Sequence, residues 1–178
     1  MSSEEARGLA SAVLGGGCFW CLEAVFARLP GVSMVENGYA GGTQPAPSYE
    51  EVCRGTTGHA EVVRVHYDPE VIAYQSLLDW FWRAHDPTTY HRQGADVGPQ
   101  YRSILLYADD EQRREALASR ERATERFADP IVTEIEPLGE FYPAEADHQR
   151  YYERHARAPY CAYVIAPKLR HLGLDASP

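Results

Sequence analysis

The sequence contains no long apolar run, so no transmembrane helix, which needs about 18 or more consecutive apolar residues, is expected. Basic residues are outnumbered, with 17 Lys and Arg against 26 Asp and Glu, and the formal net charge is −9. A nucleic-acid or anionic-membrane binder needs a basic surface, so neither kind of partner is expected. Residues 1–12 lack the basic start and apolar stretch of a secretory signal. A cytoplasmic protein is therefore expected.

Cysteine is scarce for a chain of 178 residues, with only Cys18, Cys21, Cys53 and Cys161. These are too few for a disulfide scaffold of this length, so catalytic, metal-binding or simply buried roles are expected. A structural zinc site needs four ligands, usually as two close pairs. Cys18 and Cys21 form the only close cysteine pair, and no histidine pair follows at the required spacing. No metal site is therefore expected.

The length and the hydrophobic content of 44% predict one globular domain over residues 1–178, with a core from about 12 to 168. Apolar periodicity predicts strands over residues 12–14, 32–39, 61–67, 103–107, 131–136 and 161–165, and helices over 22–29, 74–85 and 110–127. Pro143 is placed to open a further short helix with His148, Tyr151, Tyr152 and His155 on one side. Several strands have one polar face, which favours an α+β fold over a fully parallel α/β sheet.

The segment Gly15-Gly16-Gly17-Cys18-Phe19-Trp20-Cys21 places a thiol between a glycine turn and a predicted helix. A helix N-terminus stabilises a thiolate, so the pKa of Cys18 is expected to be lowered. The glycines allow a sharp turn and a close approach of a ligand to the sulfur. Phe19 and Trp20 can then form an apolar wall for a small substrate group. The same pattern also fits a buried structural cysteine beside two core aromatic residues.

Glu61 ends the segment Gly58-His59-Ala60-Glu61 and shares its predicted strand face with Val63 and Val65. A carboxyl group on an apolar face is desolvated, which raises its pKa and makes it a candidate general acid. Alternatively, Glu61 lies at the edge of the strand and is solvated, and the pattern alone favours this simpler interpretation.

Two further segments have the composition of a binding loop. Residues 92–103 are rich in glycine and polar side chains directly before a buried strand, where loops often carry function. The alternative is a turn-rich connector with Asp96 in an Asx-turn. Residues 141–149 and the following Tyr151 bring His148 and Tyr151 to one predicted helix face, where they can hydrogen-bond a substrate. The pattern alone favours a packed amphipathic face there.

Eight segments together resemble the A-type peptide methionine sulfoxide reductases, in that family's order from about Gly15 to about Cys161. One such motif would be weak, whereas eight in the same order are specific. The segments are Gly17-Cys18-Phe19-Trp20, Gly38-Tyr39-Ala40-Gly41-Gly42, Tyr49-Glu50-Glu51-Val52-Cys53, Gly58-His59-Ala60-Glu61, Phe81-Trp82-Arg83-Ala84-His85-Asp86-Pro87, Arg92-Gln93-Gly94, Gln100-Tyr101-Arg102-Ser103 and Phe141-Tyr142-Pro143-Ala144-Glu145.

The resemblance implies an α/β sandwich around a ferredoxin-like core. It also implies reduction of the S epimer of methionine sulfoxide, free or in proteins, without a bound cofactor. Cys18 would attack the sulfoxide sulfur, methionine would leave, and Cys18 would become a sulfenic acid. A second thiol would then form a disulfide, which thioredoxin, or dithiothreitol in vitro, would reduce.

The same resemblance implies a role for each site residue. Phe19 and Trp20 would hold the S-methyl group, and Glu61 would protonate the sulfoxide oxygen. Tyr49 and Tyr101 would hydrogen-bond that oxygen. Asp96 would bind the substrate backbone N–H, and His148 would line the pocket.

The second thiol is expected to be Cys161 ahead of Cys21, because Cys161 matches the family's first recycling cysteine. Cys21 replaces a glycine of many relatives, and Cβ atoms three residues apart on a regular helix are about 5–6 Å apart. A disulfide needs about 3.5–4.5 Å. Cys161 has its own difficulty, because residues 162–165 are predicted to be strand-like where many relatives have a glycine-rich tail. Cys53 matches a segment that the family does not use for recycling.

Two other classes of protein fit part of the pattern. Cys18-Phe19-Trp20-Cys21 is a C-x-x-C motif at a helix start, as in thioredoxin-like disulfide oxidoreductases. The segment that contains Glu61 has no role in such an enzyme. A redox-sensing or protein-binding module is the non-enzymatic alternative. Turnover of a methyl sulfoxide with dithiothreitol separates the three classes, because only the reductase consumes it.

Overall fold

The structure is a computed structural model that describes residues 8–178. Its strands are β1 (Ala10–Gly15), β2 (Val32–Ala40), β3 (Ala60–Tyr67), β4 (Arg92–Gln93), β5 (Asp96–Val97), β6 (Ile104–Tyr107), β7 (Glu134–Pro137) and β8 (Tyr142–Pro143). Its α-helices are α1 (Phe19–Phe26), α2 (Tyr49–Cys53), α3 (Tyr74–Ala84), α4 (Asp110–Ala123), α5 (Tyr151–His155) and α6 (Ala166–His171), and a π-helix over Cys161–Ile165 leads into α6.

The main sheet has six strands in the order β7-β6-β1-β3-β2-β8, while β4 and β5 form a separate hairpin. Neighbouring strands in the main sheet are antiparallel, except for the parallel pair β6 and β7. Because α1 connects β1 to β2 and α3 lies between β3 and β6, the four central strands have the βαββαβ order of a ferredoxin-like fold. The predicted α+β class and ferredoxin-like core are confirmed.

The two faces of the sheet are covered unequally. Val63 and Val65 of β3 belong to the main core, which also contains the buried faces of α1 and α3. Val62 points to a smaller cluster on the opposite face, against which Leu138 and Phe141 pack. The alternation predicted for residues 61–67 is therefore confirmed, and the side chain of Glu61 is on the face that carries the helices.

The prediction that Pro143 opens a helix is wrong. Pro143 and Tyr142 form the short strand β8, which pairs with Gly38 and Tyr39 at the edge of the sheet. An edge strand tolerates proline because one side of its backbone needs no ladder hydrogen bond. His148 consequently lies in a separate 3₁₀ turn, Ala146–His148, rather than on one helix with the residues of α5.

The strand predicted over residues 161–165 is also wrong, since this segment is a π-helix. Cys161 and Ile165 are buried there, while Tyr163 is 82% exposed, which is a helical pattern of burial. The strand predicted over residues 131–136 begins later and ends one residue further on, because Glu134–Pro137 pairs with β6. The helix predicted to reach residue 127 ends at Ala123, and a 3₁₀ turn follows. Within residues 8–178, no helix is long and apolar enough to cross a membrane.

Candidate active site

Cys18 lies where β1 turns into α1. β1 ends at Gly15, and Cys18 is the N-cap of α1. Gly17 between them has a φ of 87°, which favours glycine, and its N–H donates to the carbonyl of Tyr101 at 3.1 Å. A Cβ atom on Gly16 would lie 2.7 Å from the ring of His85. The loop is therefore enclosed on both sides, and this enclosure positions the sulfur of Cys18.

The ring of His85 is itself held by hydrogen bonds. Its Nδ1 lies 2.7 Å from the carbonyl oxygen of Phe81, and its Nε2 lies 2.7 Å from Oγ of Ser103. Ser103 in turn contacts Oγ1 of Thr133 at 2.7 Å. Burial lowers the pKa of His85 to about 4, so the ring is neutral at pH 7. His85 is thus a structural support for the glycine loop.

Glu61 projects from β3 towards the start of α1. Its Oε1 accepts a hydrogen bond from the backbone N–H of Phe19 at 3.1 Å. The residue is only 1% exposed, and burial raises the pKa of its carboxyl to about 8. The carboxyl group is therefore mostly protonated at pH 7 and can give a proton to a ligand. The expectation of a desolvated acid is confirmed, and the solvated alternative is wrong.

The thiols of Cys18 and Cys21 lie close enough for each to shift the pKa of the other. Burial raises the pKa of Cys18 well above its usual value, with the hydrogen bond to Cys21 and the charge of Glu61 adding to the rise. The hydrogen bond from Cys18 is the largest effect that lowers the pKa of Cys21 to about 7, and Lys168 and Tyr160 contribute. The expectation of a lowered pKa at Cys18 is wrong, because desolvation outweighs the hydrogen bond from the backbone N–H of Trp20, which lowers the pKa.

The backbone is not helical at Cys18 itself. Cys18 is extended, with φ −62° and ψ 130°, and the N–H of Cys21 donates to the carbonyl of Cys18 at 3.1 Å. This is a tight turn that closes over three residues rather than four. The Cβ separation of a regular helix therefore does not apply to Cys18 and Cys21.

Aromatic rings enclose the start of α1. Trp20 stacks on Tyr151 with centroids 3.7 Å apart, and Tyr49 lies 4.1 Å from His148. The buried ring of Phe19 is 5.8 Å from His148. Within the described residues, Nε1 of Trp20 and Nδ1 of His148 are buried without a hydrogen-bond partner. The enclosure thus combines apolar walls with polar atoms that are free to bind a ligand.

Tyr49 and Tyr101 supply hydroxyl groups that lie close enough to Glu61 to interact with it electrostatically. Burial raises the pKa of both phenols, and the charge of Glu61 adds to the rise in each case. Both therefore remain neutral hydrogen-bond donors at pH 7. Glu145 fixes the position of Tyr49, because its Oε2 accepts from the Tyr49 backbone N–H at 3.1 Å and its Oε1 accepts from the hydroxyl of Tyr39 at 3.0 Å.

Cys161 and Asp96 lie close enough to Cys21 to interact with it electrostatically. Cys161 is fully buried at the start of the π-helix, and its pKa is raised by burial and by the charge of Cys21. Asp96 on β5 accepts a hydrogen bond from the hydroxyl of Tyr160 at 3.0 Å. That hydroxyl also lies 3.4 Å from Sγ of Cys21. The fold therefore gathers the residues singled out in the sequence around Cys18, Cys21 and Glu61.

Three residues of this region were not singled out by the sequence patterns: Tyr160, Glu145 and Lys168. Tyr160 directly precedes Cys161, and Glu145 ends one of the segments that resemble the family. Their neighbours in the sequence could therefore have pointed to both residues. Lys168 is the only lysine in the chain and lines a cleft with Gln93, Arg126 and His171, but no motif marks it. Together, a buried thiol pair and a protonated carboxyl define a thiol-dependent oxidoreductase that carries its own acid.

Comparison with known proteins shows which family of thiol-dependent oxidoreductases this chain belongs to. The family model for peptide methionine sulfoxide reductase matches residues 10–176. MsrA of Nautilia profundicola is 54% identical over 158 residues, which are 89% of this chain and 91% of that protein. Methionine sulfoxide reductase A of Corynebacterium diphtheriae superposes with a TM-score of 0.84 at 37% identity, covering 91% of this chain and 82% of its own.

Yeast Mxr1 gives a similar result. Its reduced form has a TM-score of 0.82 at 36% identity, covering 87% of this chain and 90% of its own. A complex of Mxr1 with Trx2 matches with a TM-score of 0.59 at 29% identity, over 82% of this chain and 86% of that one. The chain belongs to the peptide methionine sulfoxide reductase family. This membership decides against the thioredoxin-like oxidoreductase and the non-enzymatic module.

Proposed function

We propose that this enzyme reduces the S epimer of methionine sulfoxide, free or in proteins, to methionine, and that the whole chain forms one catalytic domain. The observation that carries the proposal is the buried carboxyl of Glu61. It is mostly protonated at pH 7 and accepts a hydrogen bond from the backbone N–H of Phe19, the residue after Cys18. A sulfoxide oxygen is a poor leaving group until it is protonated, so a reductase of this class needs such an acid beside its thiol.

In the first step, the sulfur of Cys18 attacks the sulfoxide sulfur while its proton moves to the thiolate of Cys21, the hydrogen-bond partner with the lower pKa. Glu61 gives its proton to the sulfoxide oxygen, and Tyr49 and Tyr101 hydrogen-bond that oxygen. The oxygen then passes to Cys18, the bond to the substrate sulfur breaks, and methionine leaves. Cys18 is oxidised to the sulfenic acid, and Glu61 regains a proton from solvent.

The pocket supplies binding groups for the rest of the substrate. Phe19 and Trp20 form apolar walls suited to the S-methyl group, because a polarisable sulfur centre packs well against aromatic rings. His148 contributes to the same wall through its contacts with Trp20 and Tyr49. We assign the backbone N–H of the substrate to the carboxylate of Asp96, whose Oδ2 accepts from Tyr160.

In the second step, the sulfur of Cys21 displaces the oxygen from the sulfenic acid of Cys18. The disulfide forms, the S–O bond breaks, and the proton of Cys21 leaves with the oxygen as water. The sequence alone places Cys161 ahead of Cys21 in this role, whereas the tight turn that joins Cys18 to Cys21 and the mutual pKa shifts of the two thiols support Cys21. We assign the following exchange to Cys161, which would attack Cys21 and return Cys18 to its thiol form.

Thioredoxin is the proposed physiological reductant of the final disulfide, and dithiothreitol can replace it in vitro. The complex of yeast Mxr1 with Trx2 supports this choice of partner. Both electrons for the reduction come from cysteines, so the proposed mechanism uses no bound cofactor. We also propose a cytoplasmic location, where the thiols of Cys18 and Cys21 stay reduced between turnovers.

The stereochemical proposal is tested with the two separated epimers of a blocked methionine sulfoxide. We expect the S epimer to be consumed with dithiothreitol and the R epimer to remain, because only one epimer can direct its oxygen at Glu61 while its methyl group contacts Trp20. Chiral chromatography of the reaction mixture measures both. The enzyme pretreated with iodoacetamide is the control. Equal consumption of the two epimers would contradict the proposal.

The order of disulfides is tested by treating the reduced enzyme with one equivalent of substrate and mapping the disulfides by peptide mass spectrometry. We expect Cys18–Cys21 to form first and Cys21–Cys161 to replace it. Cys161→Ser should stop at Cys18–Cys21 and lose most thioredoxin-driven turnover while still releasing one methionine per enzyme. Cys53→Ser is the matched control and should behave like the parent. A first disulfide between Cys18 and Cys161 would reverse the assignment.

A further inference from the structure

Tyr160 lies between the substrate side and the recycling side of the site. Its hydroxyl donates to Oδ2 of Asp96 at 3.0 Å and lies 3.4 Å from Sγ of Cys21. Its ring meets that of Trp20 edge-on, with centroids 5.8 Å apart. A single side chain therefore touches a group proposed to bind the substrate, a wall of the pocket and the second thiol.

Asp96 depends on Tyr160 for its orientation. It lies on the two-residue strand β5, whose hairpin with β4 is separate from the main sheet. Hydrogen bonds between the Gln93 side chain and the backbone of Asp86 fix the β4 side of this hairpin, whereas Gly94 and Ala95 at its tip are exposed. Within residues 8–178, the bond from Tyr160 is the only hydrogen bond of the Asp96 side chain, and it leaves Oδ1 without a partner. One carboxylate oxygen is thus held and the other is open to a ligand.

The same hydroxyl acts on Cys21. A phenol within hydrogen-bond reach of a sulfur stabilises the thiolate, and Tyr160 lowers the pKa of Cys21 in this way, after the larger effects of Cys18 and Lys168. The phenol itself stays neutral, because burial and the charges of Cys21 and Cys18 raise its pKa. Tyr160 can therefore donate to either neighbour but does not give up its proton.

We propose that Tyr160 is a positioning residue for both halves of the reaction: it orients Asp96 to receive the substrate backbone N–H, and it holds the sulfur of Cys21 ready for disulfide formation. The inference rests on the proposed function, in which Asp96 binds that N–H. It adds that substrate binding and recycling share one hydroxyl group. Because Tyr160 directly precedes Cys161, any movement that brings Cys161 out of the core also removes this hydroxyl from Asp96.

Tyr160→Phe tests the proposal, since it removes the hydroxyl and keeps the ring against Trp20. We expect KM for N-acetylmethionine sulfoxide, which has the backbone N–H, to rise about tenfold, the size of a hydrogen bond to a charged group. KM for dimethyl sulfoxide, which lacks an N–H, should not change. The midpoint of the pH dependence of disulfide formation, followed by thiol loss after one turnover, should move upward.

Tyr163→Phe is the matched control, because Tyr163 lies on the π-helix that directly follows Tyr160 and is 82% exposed. It should change none of these quantities. Asp96→Asn completes a double-mutant cycle: it should raise KM for the N-acetyl substrate, and Tyr160→Phe should add no further increase in that background. Asp96→Asn should also move the pH midpoint downward, because it removes a charge that raises the pKa of Cys21 and weakens the competing acceptor of the Tyr160 hydroxyl. The shift should be smaller in the Tyr160→Phe background, where only the charge effect remains.

Two outcomes would overturn the inference. One is an equal rise in KM for both sulfoxides in Tyr160→Phe, and the other is an unmoved pH midpoint in either single variant. In both cases the parent enzyme still reduces the two sulfoxides, so the proposed function stands. A parent enzyme that reduces neither sulfoxide would instead overturn the proposed function, and this inference with it.

Discussion

Cys18→Ser is expected to abolish methionine sulfoxide reduction in the first turnover as well as in the steady state. A serine hydroxyl has almost no anion at neutral pH and cannot attack the sulfoxide sulfur. Loss of a nucleophile in a covalent enzyme costs on the order of 10⁶-fold. Rapid-quench measurement of the methionine released per enzyme, without added reductant, gives the first turnover directly.

The informative control for Cys18→Ser is Cys21→Ser. Cys21 has the lower pKa of the pair, so it is the thiol that could attack in place of Cys18. We expect Cys21→Ser to keep a first turnover, slowed because the proton of Cys18 has lost its acceptor. One methionine per enzyme from Cys18→Ser, with none from Cys21→Ser, would show that Cys21 is the nucleophile.

Glu61→Gln is expected to slow the chemical step by about 10²–10⁴-fold at pH 7, the usual contribution of a general acid. Alkylation of the cysteines should continue, because the thiol pair remains. Activity of the parent should decline above about pH 8, where the Glu61 carboxyl loses its proton. Stopped-flow measurement of the single turnover from pH 5 to 9 tests both statements, and an unchanged rate in the variant across that range would remove Glu61 from the mechanism.

The same substitution should stabilise the fold at alkaline pH. Burial raises the pKa of Glu61 from 4.5 to about 8, so the folded state holds this proton more tightly than the unfolded state. The contribution of this bound proton to the free energy of unfolding is complete below about pH 4.5 and is lost as the pH rises to about 8. With about 1.4 kcal/mol per pKa unit, the loss is about 4–5 kcal/mol, and neutral glutamine avoids it.

Urea unfolding of the parent and of Glu61→Gln at pH 5 and pH 8 measures this effect. The advantage of the variant should be small at pH 5 and large at pH 8. Glu50→Gln is a suitable control, since Glu50 is an exposed residue in the first turn of α2 and should show no such growth with pH. A stability difference that does not depend on pH would mean that Glu61 is ionised in the folded enzyme.

The parts of the fold that sequence patterns could predict are those set by local periodicity. The alternation of residues 61–67 placed Glu61 on the buried face of β3, and the glycine turn placed Cys18 at a helix start. The helix predicted to start at Pro143 was wrong because proline is found both at helix starts and in edge strands. Only the pairing with Gly38 distinguishes these two positions.

The parts that could not be predicted depend on contacts between distant residues. The pKa of Cys18 follows from burial by the whole fold, which reverses the effect expected from its helix alone. Tyr160 meets Cys21 across 139 residues and Asp96 across 64. No spacing rule reaches that far, so the group that connects the two thiol-bearing segments became visible only in three dimensions.

Lys168 makes this enzyme suited to selective chemical labelling. It is the only lysine in the chain, it lies on α6 at the wall of an open cleft, and its charge acts on Cys21. An amine-selective dye would therefore attach at one side chain, apart from a free amino terminus, without any engineered residue. Because the label converts the ammonium group to a neutral amide, it should raise the pKa of Cys21, so one chemical modification would test how far a distant charge tunes the thiol.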